Sequence, residues 1–160
     1  MIQVSTHGRY ALRLLLDLAL NQHEQEPVLR EVLAYRQGVS TDYAAQLFRK
    51  LSKAGLARGV MGPGGGYLIG RPADQIRVGD VIRATEGPVS LVHCVSAPEG
   101  VNCCQRRDKC LTRSFWERAS QELESFFDSI TLADLLKDAA SLENLERGMG
   151  PLLEGEPEQR

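Results

Sequence analysis

The sequence predicts a mainly α-helical fold, a winged helix-turn-helix with a β-hairpin wing and a long C-terminal dimerisation helix. Three observations predict it: two amphipathic helical segments joined by a short turn, a glycine-rich hairpin directly after them, and a wide apolar stripe at helical spacing near the C-terminus. With 160 residues the chain can bury a hydrophobic core without disulfides.

The first three helices follow from apolar spacing and from residues that begin or end helices. Residues 6–22 carry a core-facing stripe, and residues 29–36 form a second helix that ends before a glycine. Ser40 is predicted to cap a third helix, residues 41–53, and Gly55 to end it. Helix, short turn and helix are the outline of a helix-turn-helix.

The solvent-facing side of the third helix is polar and basic. Gln46 offers a paired donor and acceptor to a base edge, whereas Arg49, Lys50 and Lys53 suit phosphates. The alternative is an amphipathic helix with a solvated basic face and no ligand. The residues predicted to contact DNA are Ser40, Thr41, Asp42, Tyr43, Gln46, Arg49, Lys50, Arg58, Gly64 and Gly65.

The segment after the third helix predicts a wing. Residues 56–60 and 67–70 are strand-like, and the sequence MGPGGGY between them permits a tight hairpin. Its bare backbone can approach phosphates closely, with Arg58 and Arg71 on either side. A nucleotide-binding loop is disfavoured because no Lys-Ser or Lys-Thr follows and the segment leads into a strand. A structural hairpin without a ligand is the remaining alternative.

The C-terminal half predicts a connecting helix, a cysteine loop and a long helix. The connecting helix is expected over residues 76–84, with a cap at Gly79-Asp80. The long helix, residues 112–129, carries an apolar stripe that a second copy of the chain would cover most simply, although packing on its own winged domain is the alternative. The stripe consists of Phe115, Ala119, Leu123, Phe126 and Phe127, with Trp116 beside it. The predicted domains are a winged helix-turn-helix at 1–72, a connecting helix at 73–91, a cysteine loop at 92–111, dimerisation helices at 112–140, of which the second begins at Thr131, and a disordered tail at 141–160.

Composition narrows the function. Residues 1–72 carry nine Lys and Arg against five Asp and Glu, and residues 73–160 carry ten against sixteen. A basic front segment suits a polyanionic partner. No Ser/His/Asp or paired-carboxylate arrangement emerges from the sequence, so we expect no enzyme. Without a signal peptide or a membrane-spanning stretch we expect a cytoplasmic protein, in which clustered cysteines bind metal or respond to redox more often than they form disulfides.

Six segments together resemble a known family. HGRYAL, YRQGVS, QLFRKLSKAGL, GPGGGYLIGR, VGDVIRATEG and CQRRDKCLT occur in this order over about residues 2–140. They resemble the winged-helix iron-sulfur regulators of the IscR type in the Rrf family, which includes the nitric-oxide sensor NsrR. The resemblance implies a homodimeric transcription factor that binds palindromic promoter DNA, with an iron-sulfur cluster in the loop before the dimerisation helix. By position it implies Asp42, Ala45 and Gln46 as recognition residues, and Cys94, Cys104 and Cys110 as cluster ligands.

The resemblance implies that cluster status, redox, oxygen or nitric oxide controls promoter binding. A thiol-redox or zinc-dependent regulator on the same scaffold is the alternative. We expect a 2Fe-2S cluster rather than a 4Fe-4S cluster. Zinc is the competing metal because clustered cysteines with one histidine also suit a tetrahedral structural site.

Several positions depart from the family pattern. Arg113 stands where the IscR pattern C-L-T-H has its histidine, and Arg9 stands where the NsrR type has an acid, and a guanidinium cannot ligate iron. The loop of nine residues between Cys94 and Cys104 is also longer than the pattern. Ala45 and Met61 replace a frequent Glu and a frequent Arg, so the operator preference stays open.

The fourth cluster ligand is therefore open. Cys103 is the leading candidate, because thiolate is the preferred ligand of iron-sulfur clusters. His93 is the second. Glu99, Asp108, His7 and an external thiol are the others.

Overall fold

The computed structural model of the protein describes residues 5–97, 104–106 and 109–149, with side chains described as far as residue 141. These ranges form seven α-helices, a two-stranded antiparallel sheet and a short 3-10 turn. The elements in chain order are α1 (Thr6–Asn21), α2 (Arg30–Gln37), α3 (Thr41–Lys53), β1 (Ala57–Val60), β2 (Gly66–Ile69), the 3-10 turn (Ala73–Gln75), α4 (Val78–Glu86), α5 (His93–Ser96), α6 (Arg113–Ser129) and α7 (Leu132–Met149). The prediction of a mainly helical chain with a β-hairpin is confirmed. No helix in the described ranges is both long enough and apolar enough to cross a membrane.

The core lies between α1, α2, α3 and α4. Its central side chains are fully buried and come mostly from the apolar stripes predicted for α1 and α3: Leu14, Leu15, Leu18, Leu33, Leu47, Phe48, Leu51 and Val81. Gly38 adopts the left-handed conformation with φ of 66° and ends α2. The Ser40 hydroxyl accepts a hydrogen bond from the Tyr43 N–H at 3.2 Å and begins α3, as predicted. This turn fixes the angle between the two helices.

The wing is held against α3 and the segment before α2. Its strands pair antiparallel from Ala57 opposite Ile69 to Val60 opposite Gly66. The Tyr67 ring stacks on Phe48 of α3, with ring centroids 3.9 Å apart and an interplanar angle of 11°. α3 and the hairpin therefore share a packed contact, so the wing has a defined position relative to α3.

The connecting helix begins later than predicted. α4 starts at Val78, because Ile76 is extended and its carbonyl accepts a hydrogen bond from the Leu132 N–H at 2.8 Å. The Asp80 carboxylate accepts from the Arg77 N–H at 3.1 Å, as expected of a cap. Gly79 does not act as a cap: it lies buried inside the helix, where a Cβ would collide with Asp128 of α6. That prediction was wrong because the glycine serves close helix packing.

The C-terminal helices also differ from their predicted bounds. α6 packs on α4 with Ser120 as its buried residue and leaves Phe115 and Phe126 60% and 58% exposed. α7 runs to Met149 rather than to residue 140. The prediction of a tail from residue 141 is therefore corrected for 141–149, which are helical, and residues 150–160 lie outside the described ranges.

Candidate nucleic-acid interface and cysteine site

The outer face of α3 is the candidate surface for nucleic acid. The buried stripe of this helix turns Asp42, Gln46 and Arg49 outward, where all three are exposed. Ser40 is exposed at the helix start, and Thr41 beside it is half-buried. The structure thus groups a hydrogen-bonding amide and a permanent cation on one open face.

Tyr43 belongs to the predicted set but is packed against α1. Its ring contacts the rings of Tyr10 and His7, with centroids 6.1 and 5.7 Å away. Burial raises the pKa of Tyr43, and its hydroxyl is buried without a hydrogen-bond partner among the described residues. His7, one of the open candidates for the fourth cluster ligand, therefore lies beside α3. Tyr43 helps to position α3 on α1.

Lys50 differs from its neighbour Arg49. Its ammonium group donates a hydrogen bond to the Thr85 carbonyl in the last turn of α4, at 2.8 Å from Nζ to O. The sequence placed Lys50 with the phosphate-binding residues because it lies outside the apolar stripe. The structure brings this side chain to α4, and no local signal identifies a partner thirty-five residues away.

The wing presents glycine backbone at several consecutive positions. Gly62 and Gly64 adopt φ values of 100° and 75°, which side chains rarely allow, and the Gly65 N–H closes the turn on the Gly62 carbonyl at 2.9 Å. A Cβ on Gly65 would collide with the Val60 carbonyl oxygen. Met61 is 96% exposed at the tip. The hairpin can therefore lie close against another surface.

Two arginines flank the hairpin in different ways. Arg58 is exposed on β1, with its Nη2 3.4 Å from the Gln25 Oε1, and Arg71 is half-buried. A groove of about 440 Å³ separates the hairpin from the start of α2 and is lined by Arg30, Tyr67 and glycine backbone. Sequence reasoning missed Arg30, because its position beside the wing depends on the tertiary fold.

The described cysteines lie in α5 and in the segment before α6. Cys94 is half-buried in the short helix α5, which packs on α6, whereas Cys104 and Cys110 are exposed. The Leu91 N–H donates to the Ser120 hydroxyl of α6 at 3.0 Å, so the chain entering α5 is also attached to that helix. Cys103, Glu99 and Asp108 lie outside the described residues. His93 is exposed beside Cys94.

Cys110 has the chemistry of a metal-binding thiol. Its Sγ lies 3.5 Å from the Thr112 hydroxyl, and this hydrogen bond is the main cause that lowers the pKa of the Cys110 thiol. Backbone hydrogen bonds from Thr112 and Arg113 and the charge of Arg113 act in the same direction. A larger thiolate fraction favours metal binding, because the thiolate is the ligating form.

The donor chemistry fits an iron-sulfur cluster, although the described residues form no assembled site. No three His, Cys, Asp or Glu side chains in the described ranges lie close enough together to hold a metal ion. Arg113, at the position of the family's histidine, pairs with Glu117 at 2.7 Å through its Nε. This ion pair stabilises the first turns of α6. Because a guanidinium cannot ligate iron, Arg113 does not supply the fourth ligand.

Comparisons with known proteins agree with this architecture. The family model described as Rrf2, iron-dependent transcriptional regulator, matches residues 4–138. The HTH-type transcriptional regulator IscR of Cronobacter sakazakii is 42% identical over 146 residues, which cover 91% of this chain and 87% of that protein.

Solved structures give the same result. IscR of T. potens is similar with a TM-score of 0.66 and 39% identity, over 86% of this chain and 88% of that chain. CymR, the global cysteine regulator of B. subtilis, is similar with a TM-score of 0.65 and 33% identity, over 86% of this chain and 98% of that chain. These relatives are transcriptional regulators, which confirms the prediction that the protein is a regulator and not an enzyme. The chain belongs to the Rrf2 family of iron-dependent transcriptional regulators.

Proposed function

We propose that this protein is a cytoplasmic homodimer that binds palindromic promoter DNA, and that an iron-sulfur cluster bound by Cys94, Cys104 and Cys110 controls this binding. One observation carries the proposal: the same chain has a helix with an exposed polar face beside a glycine wing, and cysteines in the segment before a long helix. The first feature suits DNA, and the second suits a metal group.

α3 and the wing contact different parts of the DNA. The exposed Gln46 amide can bond two atoms of an adenine edge in the major groove, and Arg49 can bond a phosphate. The glycine backbone near Gly64 and the nearby Arg58 suit the sugar-phosphate chain, because the glycines carry no side chain of their own. Two such units on a twofold axis read a palindrome with half-sites about one or two helical turns apart.

The cysteine residues supply thiolate ligands. When bound, an iron-sulfur cluster supplies a labile group whose presence or oxidation state depends on iron, oxygen or nitric oxide. Cys110 contributes a thiolate stabilised by Thr112, and Cys94 contributes a thiol held by α5 against α6. We favour a 2Fe-2S cluster with Cys103 as the fourth ligand and His93 as the next candidate.

Zinc bound to the same thiols, or reversible thiol oxidation, is the second candidate. The lowered pKa of Cys110 favours it as well, because a thiolate both ligates zinc and reacts with oxidants more readily than a thiol. In either case the bound and free forms must differ in DNA affinity, since only such a difference makes the site a switch.

DNA binding is tested with two substitutions on α3. Gln46→Ala removes one base-edge contact, so we expect a loss of about 1–3 kcal/mol at one base position. Arg49→Met removes a phosphate contact, so we expect weaker binding to all sequences. The salt slope, which is the slope of the logarithm of the binding constant against the logarithm of the salt concentration, is expected to be smaller in magnitude by about 0.9. The measurement is fluorescence anisotropy on a footprinted promoter and on scrambled DNA. Wild-type affinity in both variants would exclude α3 as the reading helix.

Cluster binding is tested on anaerobically purified protein. Alanine at Cys94, Cys104 or Cys110 is expected to remove the visible absorption and the bound iron and sulfide, because each change removes a ligand. Cys103→Ala is expected to give an altered or short-lived cluster. A colourless wild-type protein with stoichiometric zinc would exclude the iron-sulfur proposal and support the zinc-dependent one.

A rescue experiment identifies the fourth ligand. In the Cys103→Ala background, Arg113→His is expected to restore cluster retention, because imidazole ligates iron where guanidinium does not. Arg113→Gln is the matched control: it also breaks the ion pair with Glu117 but supplies no imidazole. An unchanged spectrum and lifetime in Cys103→Ala would point to His93 or another ligand instead.

A further inference from the structure

The C-terminal end of α4 contacts the recognition helix. The Lys50 ammonium of α3 donates to the Thr85 carbonyl at 2.8 Å. Thr85 is 6% exposed, and its carbonyl belongs to the last four of the helix, which have no partner within the helix. Lys50 therefore supplies a donor to a carbonyl that has no partner within the helix, and a hydrogen bond from a charged group is among the stronger ones.

The same end of α4 also contacts the start of α1. The Glu86 carboxylate accepts hydrogen bonds from the Ser5 hydroxyl at 2.9 Å and from the Gly8 N–H at 3.0 Å. A Cβ on Gly8 would collide with this carboxylate, so α4 and α1 approach as closely as the glycine permits. The C-terminal end of α4 is therefore held against both α1 and α3.

The other side of α4 contacts α6. The Arg83 guanidinium donates to both carboxylate oxygens of Asp128, at 2.7 and 3.1 Å, and to Glu124 at 2.9 Å. Paired donation of this kind fixes orientation as well as distance. Gly79 lies against Asp128 with no room for a side chain. α4 therefore stands between α3 and the helix that follows the cysteine loop.

We propose that Lys50 is a positioning residue that links the recognition helix to α4, and that Arg83 extends the link to α6. The inference rests on the proposed function, because it assumes that α3 reads DNA and that the cysteine site acts through α6. Two side chains then form a polar path from α6 to α3. A shift of α6 on cluster gain or loss reaches Gln46 and Arg49 through Arg83, α4 and Lys50.

Arg49 and Lys50 are thus adjacent basic residues with separate roles. Both side chains are exposed, and Arg49 lies on the outer face, where it is available for a phosphate. Lys50 donates to the Thr85 carbonyl and thereby fixes the position of the outer face of α3 relative to α4. Replacing the two residues separately distinguishes the roles, because only a phosphate ligand contributes to the salt dependence of DNA binding.

The first experiment needs no DNA. Hydrogen exchange is measured on peptides covering residues 78–87 in the wild type, Lys50→Met, Lys50→Arg and Arg49→Met. Lys50→Met keeps the apolar stem and removes the donor, so we expect about tenfold faster exchange in the last turn of α4, the size of a hydrogen bond to a charged group. Lys50→Arg and Arg49→Met are expected to keep wild-type protection. Unchanged protection in Lys50→Met would overturn the link.

The second experiment uses DNA binding by cluster-loaded and cluster-free protein at several salt concentrations. Lys50→Met is expected to keep the wild-type salt slope but to bring the affinity ratio between the two forms close to one, and Lys50→Arg to restore the ratio. A slope smaller by about 0.9 in Lys50→Met, as expected for Arg49→Met, would make Lys50 a phosphate ligand and overturn the proposal. If the wild-type protein bound no DNA specifically, the proposed function would be refuted instead. The hydrogen-exchange result would still decide whether Lys50 links α3 to α4.

Discussion

At the scale of single residues, surroundings decide what a charged or small side chain does. Arg49 and Lys50 are consecutive, but a helix turns by about 100° per residue. Both side chains are exposed, but the Lys50 side chain also reaches the Thr85 carbonyl of α4. Arg113 is a similar case, since it occupies a family ligand position and pairs with Glu117. Residue type alone does not assign these roles.

The wing glycines give a prediction at this scale. A Cβ on Gly66 would collide with the Val28 carbonyl oxygen, whereas a Cβ on Gly59 would lie 3.8 Å from the Tyr67 ring, which is ordinary contact. We expect Gly66→Ala to lower the free energy of unfolding by about 1–3 kcal/mol, as overpacking does. Gly59→Ala, the control on the paired strand, is expected to change it by less than about 0.5 kcal/mol. Urea denaturation measures both, and equal stability of the two variants would contradict the close packing of the wing on Val28.

Local signals predicted the turn residues well. Ser40 begins α3 and Gly38 ends α2 as expected, because a cap depends on neighbours within a few positions. The partners of Lys50 and Gly79 were missed, because each lies on another helix more than thirty residues away. The fourth ligand of the proposed cluster is a further case: its leading candidate, Cys103, lies outside the described residues, and no local pattern selects among the alternatives.

At the scale of elements, helix bounds follow from caps and composition. α7 begins with a reciprocal cap: the Thr131 N–H donates to the Asp134 carboxylate at 3.0 Å, and the Asp134 N–H donates to the Thr131 hydroxyl at 3.2 Å. The predicted start at Thr131 was therefore close to the observed start at Leu132. The predicted end at residue 140 was too early, because residues 141–147 are mostly good helix formers without glycine or proline.

The α7 cap gives a prediction about pH. The Thr131 side chain, followed by its backbone N–H, lowers the pKa of Asp134. A carboxylate whose pKa is lower in the folded state stabilises the fold above its unfolded pKa of about 4 and loses this effect as the pH falls through the folded pKa. We expect Asp134→Asn to lower the Tm at pH 7 and to differ little from the wild type near about pH 2.

The control for this prediction is Asp138→Asn, an exposed acid one turn later on α7. Its Tm is expected to follow the wild type over the whole pH range. Circular dichroism melts at several pH values provide the comparison. A constant Tm difference between Asp134→Asn and the wild type at all pH values would mean that the charge of Asp134 does not stabilise the cap.

At the scale of the whole molecule, α6 has two different faces. One face packs on α4 through the acids that bind Arg83, and carries the buried Ser120, whose hydroxyl accepts a hydrogen bond from the Leu91 N–H. The other carries Phe115 and Phe126, which stay 60% and 58% exposed. The apolar stripe predicted from the sequence is therefore only partly covered by the chain itself. Some of its side chains are half-buried, and Phe115 and Phe126 point outward. Large exposed aromatic side chains on one helix face are typical of an interface.

The last prediction concerns this outward face. Phe126→Asp places a charge in the proposed dimer interface, where it would be buried without a partner, so we expect a folded monomer. Leu123, the residue at the centre of the predicted stripe, is a weaker choice because it is already half-buried within its own chain. Gln121→Asp is the control, an exposed change outside the stripe of the same helix. Sedimentation velocity is expected to give a monomer for the first variant and a dimer for the second, and the monomer is expected to bind a full palindrome no more tightly than a half-site. A dimer that persists in Phe126→Asp would remove this face of α6 from the interface.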